Sequence, residues 1–303
     1  MQHKIVIAGG SGFLGQLIAK RLLADGHDVV VLTRGQHKTK KVPSLGRSVE
    51  WEPSEGVGTW LAEIEGAFAV VNLSGATVGG KRWSKRIRAE ILSSRVDVTR
   101  TLVSAIAMCT SRPSFISTSG SGFYGNTLGP TTEAGGAGGT FLATVCRRWE
   151  EEAMHAGQFT RVAIMRLGVV LDKSEGIVKK MLPPFRFFIG GPLGSGRQWL
   201  PWVHRDDAVN AYIRAITNPT IESVYNIASP DAVRMSGFAK ALGKATHKPS
   251  WLRVPTYLVR LLRGRQADII LHGQHIIPMR TEVDGFQFKH RDLTSALQDI
   301  LNA

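Results

Sequence analysis

The stretch Lys4-Ile-Val-Ile-Ala-Gly-Gly-Ser-Gly-Phe-Leu-Gly15 decides the fold. A short apolar, β-branched run is followed at once by Gly9, Gly10, Gly12 and Gly15, and then by apolar residues at helical spacing. Glycines here let the chain turn tightly, let a diphosphate approach the backbone, and let the helix lie close to the strand. The first amides of that helix and its positive dipole end favour phosphate. The pattern therefore predicts a dinucleotide-binding strand–turn–helix unit.

The second apolar run, Val29–Leu32, indicates which dinucleotide is bound. It is followed by Thr33 and Arg34, whereas enzymes that use NAD usually carry an acid at this strand end to bind the ribose hydroxyls. Three lysines come next: Lys38, Lys40 and Lys41. Arg34 suits the 2′-phosphate of NADP, because a guanidinium forms charge-assisted hydrogen bonds with phosphate. The sequence favours NADP over NAD, and the choice stays open if Arg34 simply points into water.

Apolar strand-like runs alternate with helical patterns along the rest of the chain. The runs are Ile5–Ala8, Val29–Leu32, Ala69–Leu73, Phe115–Ser117, Arg161–Leu167 and Ser223–Ala228, and the helical patterns are Phe13–Ala24, Trp83–Met108, Phe141–Ala156 and Arg205–Thr217. This alternation predicts an α/β fold with a Rossmann-type, doubly wound parallel sheet. We expect an NADP-binding domain at residues 1–230, with a substrate-side region at 171–204, and a smaller C-terminal α/β lobe at 231–303.

Composition narrows the class of protein. The 303 residues are 43% hydrophobic and 20% charged, as in globular proteins. No run approaches 18 apolar residues and the first strand begins almost at Met1, so we expect no membrane span, no membrane partner and no signal peptide. Cys109 and Cys146 make no disulfide framework, which predicts a reduced, cytoplasmic protein. The net charge of +14 favours anionic partners.

Several later motifs are more specific than the glycine loop. They are Val70-Val-Asn-Leu-Ser-Gly-Ala76, Lys81-Arg-Trp83, Ser94-Arg95, Ser117-Thr-Ser-Gly-Ser-Gly-Phe-Tyr-Gly125, Trp149-Glu-Glu151, Met181-Leu-Pro-Pro-Phe185, Gly190–Gln198, and Pro201-Trp-Val-His204 with Asp206-Asp207. With them, nearly the whole chain resembles an extended short-chain dehydrogenase/reductase. It is most similar to an atypical branch, the SDR39U1-like epimerase-family proteins, some of which carry the label "cell division inhibitor".

The resemblance implies a set of residues that bind NADP. They are Gly9, Gly10, Ser11, Gly12, Phe13, Leu14, Gly15, Thr33, Arg34, Leu73, Ser74, Gly75 and Val169. In this branch an arginine commonly replaces a helix asparagine of ordinary members, and Arg95 fits that place. Glu90, on the same helix, would accept hydrogen bonds from ribose hydroxyls. The alternative is that Arg95 and Glu90 pair with each other or with solvent.

The usual catalytic pair of the family is missing. Ordinary members carry Tyr-x-x-x-Lys, in which the lysine lowers the tyrosine pKa. The residues four places after the four tyrosines are Leu128, Ile216, Ser229 and Leu261, so none is lysine. Alignment on Trp149-Glu150 places Leu142 at the tyrosine position and Cys146 at the lysine position, where the atypical branch often has cysteine.

Ser119, Tyr124 and Cys146 remain as catalytic candidates. Ser119, with Ser121 as a rival because the register is ambiguous, would hydrogen-bond a substrate oxygen, or it is a plain strand-end hydroxyl. Tyr124 would supply a proton, although no lysine at helical spacing lowers its pKa. Cys146 is either a thiol activated by the two arginines that follow it or a buried, inert filler.

The Gly-rich segment Gly190–Gln198 and Trp199 are predicted to line the substrate site. Arg197 would bind an anionic group there. The alternative is an ordinary surface loop packed by tryptophans. Asp206 and Asp207 are interpreted as capping residues of the helix that follows rather than as catalytic acids.

Two functions from different classes fit this sequence. One is an NADP(H)-dependent oxidoreductase or epimerase that acts on a small polar or anionic molecule, which Ser119 and Arg197 favour. The other is an NADP(H)-binding regulatory protein without turnover, which the missing Tyr–Lys pair favours. We expect no metal site, because His272 and His275 have no third ligand nearby in sequence. We also expect no nucleic-acid partner, since the basic stretch Lys81–Arg88 belongs to no recognised module.

Overall fold

The computed structural model describes residues 2–35, 46–80 and 82–302. Its strands are β1 (Lys4–Ala8), β2 (Asp28–Thr33), β3 (Arg47–Glu50), β4 (Ala69–Asn72), β5 (Ser114–Gly120), β6 (Pro130–Thr131), β7 (Val162–Leu167), β8 (Val169–Leu171), β9 (Trp199–Leu200), β10 (Trp202–His204), β11 (Ser223–Ile227), β12 (Val233–Arg234) and β13 (His275–Ile276). Its helices are α1 (Phe13–Ala24), α2 (Leu61–Ile64), α3 (Lys85–Met108), α4 (Phe141–Met154), α5 (Gly176–Arg186), α6 (Arg205–Thr217), α7 (Met235–Thr246), α8 (Thr256–Arg263), α9 (Asp268–Leu271), α10 (Met279–Val283) and α11 (Leu293–Asn302).

A parallel sheet of seven described strands organises the molecule, in the order β11-β7-β5-β4-β1-β2-β3. The chain winds outward from β1 in one direction through β2 and β3, and in the other through β4 and β5. The predicted doubly wound Rossmann-type sheet is therefore confirmed. Ligands of such sheets bind beyond the carboxyl ends of the strands, where the winding reverses. Here that point lies between β1 and β4.

Alternate side chains of the central strands enter two separate apolar layers. Ile5 and Ile7 pack with Ile18 of α1 on one face of the sheet. Val6 packs with Leu102 of α3 on the other face. All five side chains are almost completely buried, which explains why these strands are continuously apolar.

A third apolar core lies beside the sheet and joins the 171–204 region to the C-terminal lobe. Phe185 of α5 and Trp202 of β10 belong to it together with Phe238 of α7 and Leu297 of α11. Four elements that are far apart in sequence therefore share one core. None of the described helices is both long and apolar enough to cross a membrane.

Helix starts differ from the sequence interpretation at two places. The predicted helix from Trp83 begins at Lys85, because the Ser84 hydroxyl caps it by accepting from the Ile87 amide at 3.2 Å. The assignment of Asp206 and Asp207 as capping residues is wrong. His204 caps α6: its Nδ1 atom accepts from the Asp206 amide at 3.1 Å, and the two acids lie inside the first turn.

Asp207 instead fastens the C-terminal segment to the sheet domain. Its two carboxylate oxygens accept from the backbone amides of Lys289 and His290, each at 2.9 Å, and the residue is completely buried. The negative charge also lies in the first turn of α6, where the helix dipole favours it.

Replacing Asp207 with alanine is expected to lower the free energy of unfolding by about 3 kcal/mol, because two buried amides lose a charged acceptor. Asp206→Ala is the matched control, since that half-exposed side chain has only loose ionic contacts and should cost less than about 1 kcal/mol. Urea unfolding of both variants measures the difference. Equal losses would show that Asp207 does not anchor the C-terminal segment.

Candidate functional site

The glycine loop between β1 and α1 has no space for side chains at three of its positions. A Cβ on Gly9 would lie 2.8 Å from the Leu73 carbonyl carbon, and one on Gly10 would lie 2.7 Å from the Val31 side chain. A Cβ on Gly15 would lie 2.6 Å from the Cα of Gly10. Gly9 also has a φ of 80°, a conformation that favours glycine. The loop thus holds α1 directly against β1.

The first turn of α1 offers an anion site of the kind predicted. Gly12, its N-terminal cap, is exposed and provides no side-chain acceptor, and the turn contains no acid. Ser11, Phe13 and Leu14 are partly accessible beside it. The helix start therefore presents backbone N–H groups and a positive dipole end to any phosphate placed there.

The end of β2 lies next to this loop, because β1 and β2 pair in parallel register with Ala8 beside Leu32. Thr33 is buried, and its hydroxyl has no hydrogen-bond partner among the described residues. Arg34 follows and is exposed. The strand therefore ends in a buried hydroxyl without a partner among the described residues, followed by an exposed arginine. Three lysines of the sequence prediction, Lys38, Lys40 and Lys41, lie outside the described residues.

The turn after β4 forms the opposite side of the site. The Leu73 amide donates to the Ala8 carbonyl at 2.9 Å, and the Ser74 amide donates to Asn72 Oδ1 at 3.1 Å. A Cβ on Gly75 would lie 2.8 Å from the Arg95 guanidinium carbon. The predicted residues Leu73, Ser74 and Gly75 are thus brought to the glycine loop, with Arg95 packed against them.

Arg95 is largely buried without a carboxylate partner among the described residues. Its Nη1 atom donates to the carbonyls of Ala76 and Ile91, at 3.1 and 3.0 Å. Burial lowers the pKa of the guanidinium. Glu90 is exposed and makes no described contact with it, so the alternative in which the two residues pair is wrong. Because no carboxylate among the described residues neutralises Arg95, its guanidinium is suited to a negative or strongly polar group of a ligand.

Ser119 lies in a buried hydrogen-bond network at the end of β5. Its hydroxyl donates to Glu150 Oε1 at 2.5 Å. Arg166 binds both oxygens of the same carboxylate, at 2.9 and 2.8 Å, and the two side chains are less than 10% exposed. Burial opposes the charge of Arg166, but the hydrogen bonds and attraction of Glu150 outweigh it and raise its pKa. Sequence reasoning missed this ion pair, because β7 supplies Arg166 within an apolar run.

Tyr124 belongs to the same network. Its hydroxyl donates to Asn226 Oδ1 at 2.7 Å and accepts from Arg166 Nη1 at 2.8 Å. Burial raises the pKa of the phenol despite the neighbouring Arg166. Both capacities of the hydroxyl are used inside the protein, so the geometry gives Tyr124 the role of a network member rather than of a proton donor.

Cys146 is buried on α4 near Ser119 and the end of β5. Its Sγ atom would lie 3.9 Å from a Cβ placed on Gly120. Burial, with a smaller contribution from the charge of Glu150, raises the pKa of the thiol to about 11. Of the two interpretations from sequence, these surroundings favour the buried, inert filler, because a reactive cysteine requires a lowered pKa and access.

The predicted substrate residues separate in the structure. Val169, at the start of β8, and Trp199 both line a cavity of about 490 Å³. Arg197 is exposed and is not part of that wall. The wall carries two other cations that sequence reasoning missed, Lys180 of α5 and Arg263 of α8. They are about 80 residues apart in sequence, so no local motif indicated them.

Four side chains at the start of α6 resemble a metal site. His204, Asp206, His290 and Asp299 offer ligand atoms within 4.8 Å of one another. The Nδ1 atom of His204 already accepts from a backbone amide, so the proton of the neutral ring lies on Nε2, 3.2 Å from Asp299. A metal would need that nitrogen unprotonated. The cluster is therefore explained as a contact between the buried ring and the C-terminal helix.

The glycine loop, the doubly wound sheet and the site between β1 and β4 agree with a comparison of the sequence with protein families. The signature of the NAD dependent epimerase/dehydratase family matches residues 5–228. The chain belongs to this family. A second signature, a domain of unknown function called DUF1731, matches residues 254–300 of the epimerase-family chain.

Known relatives extend over the whole of this epimerase-family protein. A chloroplastic homolog of epimerase family protein SDR39U1 from Arabidopsis thaliana is 38% identical, over 99% of this chain and 87% of its own. The crystal structure of human SDR39U1 with NADPH is 29% identical, has a TM-score of 0.88 and covers 99% of both chains. A nucleoside-diphosphate sugar epimerase from Corynebacterium glutamicum is 28% identical, with a TM-score of 0.78 over 99% of this chain and 58% of its own. The predicted resemblance to the SDR39U1-like branch is confirmed.

Cys146 should resist thiol reagents in the native protein. With a pKa of about 11, roughly a thousandth of the thiol is ionised at pH 8, and burial restricts access further. Reaction with Ellman's reagent at pH 8 is expected to be at least about a hundredfold slower than in guanidinium-unfolded protein. Cys146→Ala, which retains the buried Cys109, is the control. A fast native reaction that disappears in this variant would make Cys146 a reactive thiol.

Proposed function

We propose that this epimerase-family protein is an NADP(H)-dependent oxidoreductase whose substrate occupies the cavity beside Val169. The observation that carries the proposal is the glycine loop: an uncapped helix start without acids, next to a strand that ends in Arg34. Those features match a diphosphate and an additional phosphate on the adenosine ribose. The human relative crystallised with NADPH supports the same cofactor.

Different groups of residues would bind different parts of the dinucleotide. The amides at the start of α1 would bind the diphosphate, Arg34 the 2′-phosphate, and the turn Leu73–Gly75 would lie beside the adenine. Arg95 would contribute a charge-assisted hydrogen bond from its buried position. Val169 would lie on the nicotinamide side. When bound, NADPH supplies a hydride, so that a carbonyl compound and a proton yield an alcohol and NADP⁺.

Ser119 is the residue that we assign to the substrate oxygen. Its hydroxyl donates to Glu150, and rotation about the Cβ–Oγ bond would turn the same proton toward a substrate carbonyl. Tyr124 has no free donor, and Cys146 stays protonated at neutral pH. The proton of a reduction would then come from water or a group of the cavity rather than from this trio.

The same observations favour a second function, an NADP(H)-binding regulatory protein without turnover. The Tyr–Lys pair is absent from the sequence, and Ser119 and Tyr124 are held in a buried hydrogen-bond network around the Glu150–Arg166 ion pair. Such a protein would bind NADPH with the same residues and would differ only in catalysis. Cofactor binding and turnover therefore need separate tests.

Arg34→Ala should weaken binding of NADPH by about ten- to a hundredfold, because one charge-assisted contact with phosphate is lost. Binding of NADH should change less than about twofold, since NADH lacks that phosphate. Titration calorimetry measures both affinities, with Arg253→Ala as the control for an exposed arginine elsewhere. Equal losses for the two cofactors would refute the assignment of Arg34.

The wild-type protein is expected to oxidise NADPH in the presence of a carbonyl compound, followed as absorbance at 340 nm. Ser119→Ala should lower kcat/KM by about tenfold or more, as expected for loss of a hydrogen bond that positions the substrate. Ser121→Ala, the rival serine, is the matched control and should retain most activity. Tight NADPH binding without oxidation across carbonyl and sugar-nucleotide panels would favour the regulatory protein.

A further inference from the structure

The cavity beside Val169 has a wall that is almost entirely hydrocarbon. It lies between α5, the Gly190–Gln198 segment and α8, and has a volume of about 490 Å³. Side chains such as Met181, Leu200 and Met235 line it. Cavities of this size hold molecules comparable to common drugs. A ligand that fills it must place most of its surface against carbon.

The side-chain amide nitrogens of the wall already donate to backbone carbonyls, and only one buried amide oxygen, Gln266 Oε1, lacks a partner among the described residues. Gln198 donates both amide hydrogens, to the carbonyls of Leu193 and Ile270, at 2.9 Å each. Gln266 donates to the Val78 carbonyl at 2.9 Å. A sugar brings several hydroxyls that would lose water here without gaining equivalent partners, and such desolvation is unfavourable. The wall therefore disfavours a sugar ring.

Charge in the wall has one sign. Lys180 and Arg263 are its cations, and no carboxylate is among the described lining residues. Lys180 donates to the Gly79 carbonyl at 3.2 Å, and Arg263 has no acidic partner in the parts of the chain that the structure describes. Two cations not neutralised by acids in an apolar wall are suited to one negative group of a ligand.

We infer that the substrate is an amphipathic anion: a molecule with a hydrocarbon body and a single negative group such as a carboxylate. The hydrocarbon fills the space between Met181, Leu200 and Met235, and the negative group pairs with Arg263 or Lys180. The inference rests on the proposed function for its placement beside the nicotinamide. The sequence predicted a small polar or anionic substrate. The cavity agrees with the negative charge, but it favours an apolar body over a polar one.

Simple fatty acids test this substrate class without any assumption about turnover. Octanoate, decanoate, decanol, decylamine and UDP-glucose are titrated against bound 1-anilinonaphthalene-8-sulfonate, with and without saturating NADPH. Decanoate should displace the dye best, and its affinity should exceed that of octanoate by about fifteenfold, which corresponds to about fourfold per buried methylene. Decanol should bind more weakly, decylamine more weakly still, and UDP-glucose should not compete.

Two pairs of variants test whether decanoate and decanol bind in this cavity. Arg263→Gln should weaken decanoate about tenfold and leave decanol unchanged, whereas Arg260→Gln, on the same helix but outside the wall, should change neither. Ile189→Asp should weaken both ligands, and Phe187→Asp neither. Ile189 lines the cavity and Phe187 does not, and both are exposed, so folding should be retained. Circular dichroism of all four variants checks this.

The outcomes separate the inference from the proposed function. Competition by UDP-glucose without competition by decanoate, or an affinity independent of chain length, would overturn the amphipathic substrate even if NADPH is oxidised. Equal losses from Arg263→Gln and Arg260→Gln would overturn the assigned anion contact. Selective binding of decanoate in a protein that never oxidises NADPH would support the cavity assignment and would count against the oxidoreductase alone.

Discussion

The structure depends on one steric constraint, the contact between backbone atoms where β1 turns into α1. Side chains on Gly9 and Gly15 would overlap the backbone of Leu73 and Gly10. Because those side chains are absent, α1 lies against the sheet, and the ends of β1, β2 and β4 converge at its first turn. The first amides of α1, the end of β2 before Arg34, and the turn packed against Arg95 then lie at the same edge of the sheet. The same contact therefore sets the packing of the sheet and the electrostatics of the site.

The ion pair between Glu150 and Arg166 lies at the end of β5, beside Ser119 and Cys146. A buried pair is costly to desolvate and is retained when additional hydrogen bonds satisfy it. Ser119, Tyr124 and Glu133 provide such hydrogen bonds here. The buried charges beside Ser119 are therefore paired and hydrogen-bonded to the protein.

Sequence patterns predicted the central fold because the central strands are apolar on both faces and the glycine spacing is local. The strand at Arg47–Glu50 was missed, since it lies at the sheet edge, three of its four residues are polar, and all are at least partly exposed. The cap at His204 was missed because Asp and Ser are the usual capping residues. The cavity could not be predicted from the sequence for another reason. Its wall combines residues from Gly79 to His272, and only the folded chain brings them together.

The third core has a consequence for synthesis of the protein on the ribosome. Phe185 of α5 shares this core with Leu297 and Ile300 of α11, although α11 is translated more than a hundred residues later. Until α11 has left the exit tunnel, the part of this core that Leu297 and Ile300 cover stays exposed in the nascent chain. Chaperones that bind exposed hydrocarbon would act during that interval. The carboxyl edge of the central sheet and the third core would then be completed at different moments of translation.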